Sequence, residues 1–358
     1  MIRISMALLA IACAAAGAPL EAETLLVVRK SDDAVDLLDP GSGLRLASVA
    51  VGHAPHEVSV SPDGRFAAVS NYGTREAPGS TLSIVDLTEP RELRRIELSP
   101  HTRPHGVSWF DADRLAVTTE GSQHLLVVDP GTGRVLQAIE TGQDVSHMVA
   151  VDAAAERAYV TSIGSGTTTA IDLAAGRKLR DLPTGAGSEA LALTPDGREL
   201  WVAARADGAI AVVDTQSLEI VERIELPGIP IRIAITGDGR TALVTCAGAS
   251  ELVAFDVGER RERTRTRVDV PPAPGAGDRP FARLAPGSVL PVGLLVAGDG
   301  RSAYVAATMG DAVVEYELES LKVIRAIKVA GEPDGLGSAD TLPRARCHAC
   351  VAPSAPSH

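Results

Sequence analysis

Pro55-His56-Glu57-Val58-Ser59-Val60-Ser61-Pro62-Asp63-Gly64-Arg65-Phe66-Ala67-Ala68-Val69-Ser70-Asn71-Tyr72-Gly73 reads as an alternating strand, a tight Pro-Asp-Gly turn and a second strand that leaves at Gly73. Ser188-Glu189-Ala190-Leu191-Ala192-Leu193-Thr194-Pro195-Asp196-Gly197 repeats its first half, and Trp201-Val202-Ala203-Ala204-Arg205 stands in place of 68–72. With His56 as the anchor, the equivalent positions are His105, His147, Glu189, Ile231, Val292 and Asp334, at steps of 49, 42, 42, 42, 61 and 42 residues. A period of about 42 residues predicts four-stranded propeller blades, with two insertions accounting for the long steps.

Each unit keeps one internal order. Strand A starts at the anchor, an Asp-Gly turn follows, strand B ends among small residues, and strand C closes on Asp86, Asp129, Asp172, Asp214, Asp256 or, by alignment, Glu317. These acidic residues recur because an Asp that opens a turn hydrogen-bonds its own backbone two residues on, so their reading is structural. Residues 24–52 supply strands B, C and D of a blade without a strand A, and the missing strand appears at 332–337. The expected fold is therefore an all-β, seven-bladed β-propeller whose ring closes by pairing N-terminal strands with a C-terminal one, which removes exposed sheet edges.

Composition agrees with many short strands: 34 Gly, 23 Pro and few aromatics among 358 residues. A formal net charge of −12 argues against nucleic acid or an anionic membrane surface as partner. Arg3, the apolar run 5–18 and the small residues to Ala22 form a signal-peptide pattern, so residues 1–22 are expected to be removed and the chain to be periplasmic or secreted. The run is too short for a comfortable membrane span, and a monomer is expected. Residues 23–340 form the expected propeller and 341–358 a tail. In that tail Cys347-His348-Ala349-Cys350 has C-x-x-C spacing, but Val351 replaces the His that c-type haem attachment needs. A tail disulfide, free thiols, or a metal held with His348 and His358 are the readings open to it.

Ala158-Tyr159-Val160-Thr161-Ser162, together with the Ser-Pro-Asp-Gly turn and the Val-Val-Asp strand ends, resembles the YVTN-repeat, YncE-like family of exported seven-bladed propellers. The resemblance covers most of 24–340 and rests on turn and strand chemistry, so it implies fold far more than activity. It is a functionally mixed group, similar to lactonase-type propellers, haem d1-binding propellers and the propellers of amine dehydrogenase heavy chains and nitrous oxide reductase.

In such a fold the anchors surround one mouth of the central channel, with the strand-B exits beside them: Tyr72, Glu120, Ile163, Arg205, Ala247 and Thr308. Three successive anchors are histidines, and Glu189 and Asp334 flank them in the ring. His56, His105, His147 and Glu189, with Glu120, Tyr72, Arg205 and Asp334, are the candidate ligand-binding residues. Imidazole and carboxylate donors suit Zn²⁺ or Cu²⁺, with His56, His105, His147 and Glu189 as candidate ligands. The expected function is binding of a small ligand or metal, or docking of a partner, at this mouth without turnover; the alternatives are an accessory role in an exported redox or metal-handling system and a lactonase-like hydrolase. In the last, His105 or His147 with Glu120 would act as base and Arg205 would supply positive charge. Arg232, one residue past its anchor, is expected to turn away from the channel by strand alternation. The insertions, at 74–80 and about 258–290, are expected on the histidine face; the second opens with alternating Arg and Thr, which suits either a lid or a solvated outer strand.

Overall fold

A computed structural model describes residues 23–340; residues 1–22, expected to be a signal peptide, and the tail bearing Cys347, His348, Cys350 and His358 lie outside the described residues. The chain forms seven four-stranded antiparallel sheets, each with its strands in the order A to D. Blade 1 is the composite: its strand A, Pro333–Ala339, pairs with Thr24–Arg29, which continues into Ala34–Leu38 and Arg45–Ala50. Blades 2 to 7 begin with Pro55–Val60, Pro104–Asp111, Ser146–Asp152, Ser188–Leu193, Pro230–Ile235 and Pro291–Val296. No helix among the described residues is long and apolar enough to cross a membrane.

The ring is held by one apolar cluster in each of its seven seams. Between blades 2 and 3, for example, Ala68, Leu82, Ile84 and Ile96 face Leu115, Val117, Leu126 and Val128, all buried. Because both faces of each blade are covered, strands B and C read as near-continuous apolar runs, while outer strands such as Arg91–Glu97 carry charge. The acidic strand-C ends are turn residues, as expected: Asp129 accepts from the amides of Gly131 and Thr132, and Asp214 from those of Gln216 and Ser217. The Arg/Thr alternation is the outer strand of blade 6, Arg261–Arg267, so the second insertion starts after it rather than at Gly258. The first insertion extends a hairpin, with Gly73 paired to Pro78.

Two backbone devices recur in every blade. The residue two before each anchor is left-handed: Ala54, Arg103, Val145, Gly187, Ile229, Leu290 and Glu332, with φ from 46° to 70°. Its carbonyl accepts the amide of the strand-B exit, as in Glu120 to Arg103 at 3.0 Å and Ala247 to Ile229 at 2.8 Å. Immediately afterwards strand A bulges. In blade 2, Pro55 pairs with Asn71 and Val58 with Val69, so His56 and Glu57 together oppose Ser70.

Neighbouring strands A approach closely at the bulge, and glycine makes room for them. A Cβ on Gly293 would lie 2.0 Å from the Asp334 carbonyl oxygen, whereas one on Gly237 would meet nothing within 4 Å. Gly293→Ala is therefore expected to destabilise the propeller by about 1–3 kcal/mol, as overpacking does. Gly237→Ala should stay within about 0.5 kcal/mol of the parent, both read by urea unfolding.

Candidate functional site

The seven bulges place their anchors around one mouth, and the hydrogen bonds from strand-B exits hold a second side chain beside each. The polar members form a continuous arc over blades 1 to 5. His56 Nδ1 is 3.1 Å from Asp334 Oδ2, and the His56 and His105 rings are 5.1 Å apart, centroid to centroid. His105 and His147 lie closer, at 3.8 Å, and His147 Nε2 is 3.8 Å from Glu189 Oε1. Arg205 completes the arc, with Nη1 2.6 Å from Glu189 Oε2. The sequence-predicted residues thus meet in one place.

Glu120 joins two parts of the arc. Its Oε1 accepts His147 Nδ1–H at 2.6 Å and its Oε2 accepts the Tyr72 hydroxyl at 2.5 Å. Arg103 supports Tyr72, donating to its oxygen at 3.4 Å. With Nδ1 committed as donor, His147 presents Nε2 as a lone pair; that nitrogen is buried and has no hydrogen-bond partner, nor has His105 Nδ1. His105, Glu120 and His147 each bring one potential ligand atom to within 4.8 Å of the others.

The local field keeps these imidazoles neutral. Burial, then the neighbouring His147, hold His105 well below the usual histidine range. Burial, Arg232 and Arg205 do the same to His147, so its short contact with Glu120 is a hydrogen bond donated by a neutral imidazole rather than an ion pair. Burial pushes Glu189 up to about 7 against the pull of Arg205 and Arg232. Asp334, although buried, is held below the usual carboxylate range by His56 and Lys30.

Arg232 does not turn away from the channel. The bulge in strand A of blade 6 breaks the alternation, with Pro230 pairing Cys246 and Arg232 pairing Thr245. Arg232, a buried residue 8% exposed, makes a close ion pair with Glu57 of blade 2, nearly opposite in the ring, so the pair spans the channel. Both are one residue past an anchor, a position that simple alternation assigns to the blade interior. Burial pushes Glu57 up to about 7, Arg232 opposes this, and Asp334 and Glu189 add to it.

Lys30 was also missed. It is the strand-B exit of the composite blade, donating its amide to Glu332 at 3.3 Å, and its Nζ lies 3.8 Å from Asp334 Oδ2. Alignment of Thr24–Arg29 with the other B strands would have found it. The second insertion covers the apolar side of the mouth, where Ala276, Ala285 and Leu290 pack on Ile231, Val292 and Met309. Its Phe281 stands 3.6 Å under Lys30 Nζ and 6.2 Å from the His56 ring. Arg279 anchors it with two 2.8 Å bonds to Asp311. His56, His105, His147 and Glu189 are 5–8% exposed, so the arc is largely buried. A cleft of about 830 Å³ exists on the other face, among Asp238, Arg301 and Glu319, but it touches no histidine and gathers no set of buried polar groups.

A family model described as a YNCE-like beta-propeller matches residues 107–274, from strand A of blade 3 into the second insertion. Among solved structures, a functionally unknown protein from Desulfotomaculum acetoxidans DSM 771 is similar at TM-score 0.73 and 14% identity, over 89% of this chain and 99% of that one. Kuenenia stuttgartiensis hydrazine synthase is similar at TM-score 0.64 and 19% identity, over 87% of this chain and 100% of that one. At such identities the likeness is one of fold alone. No curated protein matches.

The channel-spanning pair is open to direct test. Arg232→Met strands Glu57 beside Asp334 and Glu189, and the variant is expected to lose about 3–5 kcal/mol at pH 8. Because a buried carboxyl without its cation is more easily kept protonated, the loss should shrink as pH falls below 7. Glu57→Gln combined with Arg232→Met should recover part of the stability, measured by urea unfolding at both pH values.

Proposed function

We propose that this YncE-like β-propeller holds a divalent transition-metal ion, Zn²⁺ or Cu²⁺, at its histidine-lined mouth without turning over a substrate. The observation that carries the reading is the pair of buried, partnerless imidazole nitrogens, His105 Nδ1 and His147 Nε2, among carboxylates. A buried nitrogen with no partner is unfavourable by about 1–3 kcal/mol, and a metal ion removes that penalty. Neutral imidazole is the ligand form, and the environment enforces it.

The carboxylates fit a supporting role as well. Glu120 on His147 Nδ1 and Asp334 on His56 Nδ1 reproduce the arrangement in which a carboxylate fixes the tautomer of a ligating histidine. Glu189 Oε1, 3.8 Å from His147 Nε2, is a further oxygen donor on the far side of the gap. The insertion pinned by Arg279 packs on the apolar side of the mouth, a position from which it would slow the exchange of a held ion.

Chain purified without an affinity tag and reconstituted with Zn²⁺ or Cu²⁺ should carry one such ion at the mouth by elemental analysis. His105→Ala with His147→Ala should abolish that ion, and Glu120→Gln should weaken it about 10–100-fold. Uptake unaffected by His105→Ala and His147→Ala would overturn the proposal, as would no uptake at all.

A further inference from the structure

At the rim of the same face, in the seam between blades 2 and 3, a second pair of histidines stands apart from the mouth. His101 lies on the connection entering blade 3, and His124 opens that blade's third strand, His124–Asp129. Their ring centroids are 4.7 Å apart, with the planes at 57°. Both are half-buried, and neither contacts the His56, His105 and His147 group.

The hydrogen bonds around Ser122 fix the proton on each ring. Thr119 Oγ1 donates to the His124 carbonyl at 3.2 Å, so its own oxygen is free to accept. Ser122 Oγ donates to Thr119 Oγ1 at 2.8 Å, which uses the only hydroxyl proton that Ser122 has. His101 Nδ1, 3.1 Å from Ser122 Oγ, must then be the donor in that contact. His124 Nδ1 is 2.5 Å from the Ser122 carbonyl, which can only accept. Both rings therefore carry a proton on Nδ1, and the neutral form of each has its lone pair on Nε2.

We infer that His101 and His124 form a second, solvent-facing cation site that takes Cu²⁺, Ni²⁺ or Zn²⁺ through their two Nε2 atoms, with water completing the coordination. Such ions prefer imidazole donors, and the backbone carbonyl and hydroxyl on Nδ1 act as the outer partners that orient metal-binding histidines. Ser122 is a positioning residue here. The loop from Glu120 to His124 serves both places: Glu120 orients His147 at the mouth, and Ser122 and His124 build the rim site. The rim site does not depend on metal at the mouth.

The test is equilibrium dialysis of the full chain against Cu²⁺ after chelator stripping, with electron paramagnetic resonance to count coordinated nitrogens. In a His105→Ala/His147→Ala background, one Cu²⁺ with two imidazole nitrogens should remain and should vanish when His101→Asn and His124→Asn are added. Ser122→Ala should weaken that Cu²⁺ about tenfold or more with an unchanged melting temperature, since outer partners contribute 10–100-fold. Cu²⁺ binding that is the same in number and affinity with and without His101→Asn and His124→Asn would overturn the inference. So would the absence of Cu²⁺ in the His105→Ala/His147→Ala background. A wild-type chain that takes up the rim ion alone would sink the mouth reading and leave this one standing.

Discussion

In every blade the amide at the end of strand B donates to a carbonyl two residues before the anchor, and the residue bearing that carbonyl is left-handed. Six of the seven are not glycine, and for residues such as Val145 and Ile229 a positive φ is unfavourable by roughly 1–2 kcal/mol. The ring tolerates this because the hydrogen bond ties strand B of each blade to the loop that feeds its strand A. That tie, with the bulge that follows, sets the anchor of each strand A and the exit residue of each strand B around the same mouth, and brings Glu57 and Arg232 to it as well. Without it the histidines, Glu120, Arg205 and Lys30 would be loop residues with no common geometry.

The same device explains what could and could not be read beforehand. The period, the turn residues and the split first blade were legible because the Pro-Asp-Gly turns and apolar B and C strands repeat at fixed spacing. His56, His105, His147 and Glu189 were legible as a group because they occupy the same place in consecutive repeats. Arg232 and Glu57 were not, because the bulge leaves no sequence mark: its second position is Gly in three blades but Glu, Met, Ala or Arg in the others. Period-two alternation assigned Arg232 to the wrong side and gave no reason to single out Glu57. The capping insertion announced itself only by length, and its contact with the mouth through Phe281 and Arg279 depends on tertiary packing.

The chemistry of the mouth follows from how charge is distributed over it. Arg232 and Arg205 lie near the carboxylates Glu57 and Glu189, while the imidazoles between them are desolvated and crowded by one another. Burial first, with Arg232 and Arg205 adding to it at His147, keeps His105 and His147 neutral, and Glu120 then accepts the His147 Nδ1–H and chooses its tautomer. The outcome is a pair of buried imidazole nitrogens without hydrogen-bond partners, His105 Nδ1 and His147 Nε2, on which the metal-binding proposal rests.

The protonation and tautomeric state of His147 carries this account, and histidine-selective ¹⁵N nuclear magnetic resonance of the metal-free chain reads it directly. The account predicts Nδ1 protonated and Nε2 unprotonated at pH 7, persisting well below the pH at which a free histidine titrates, with Nε2 the nitrogen that shifts on adding Zn²⁺. An imidazolium signal at pH 7, or a proton on Nε2, would contradict it.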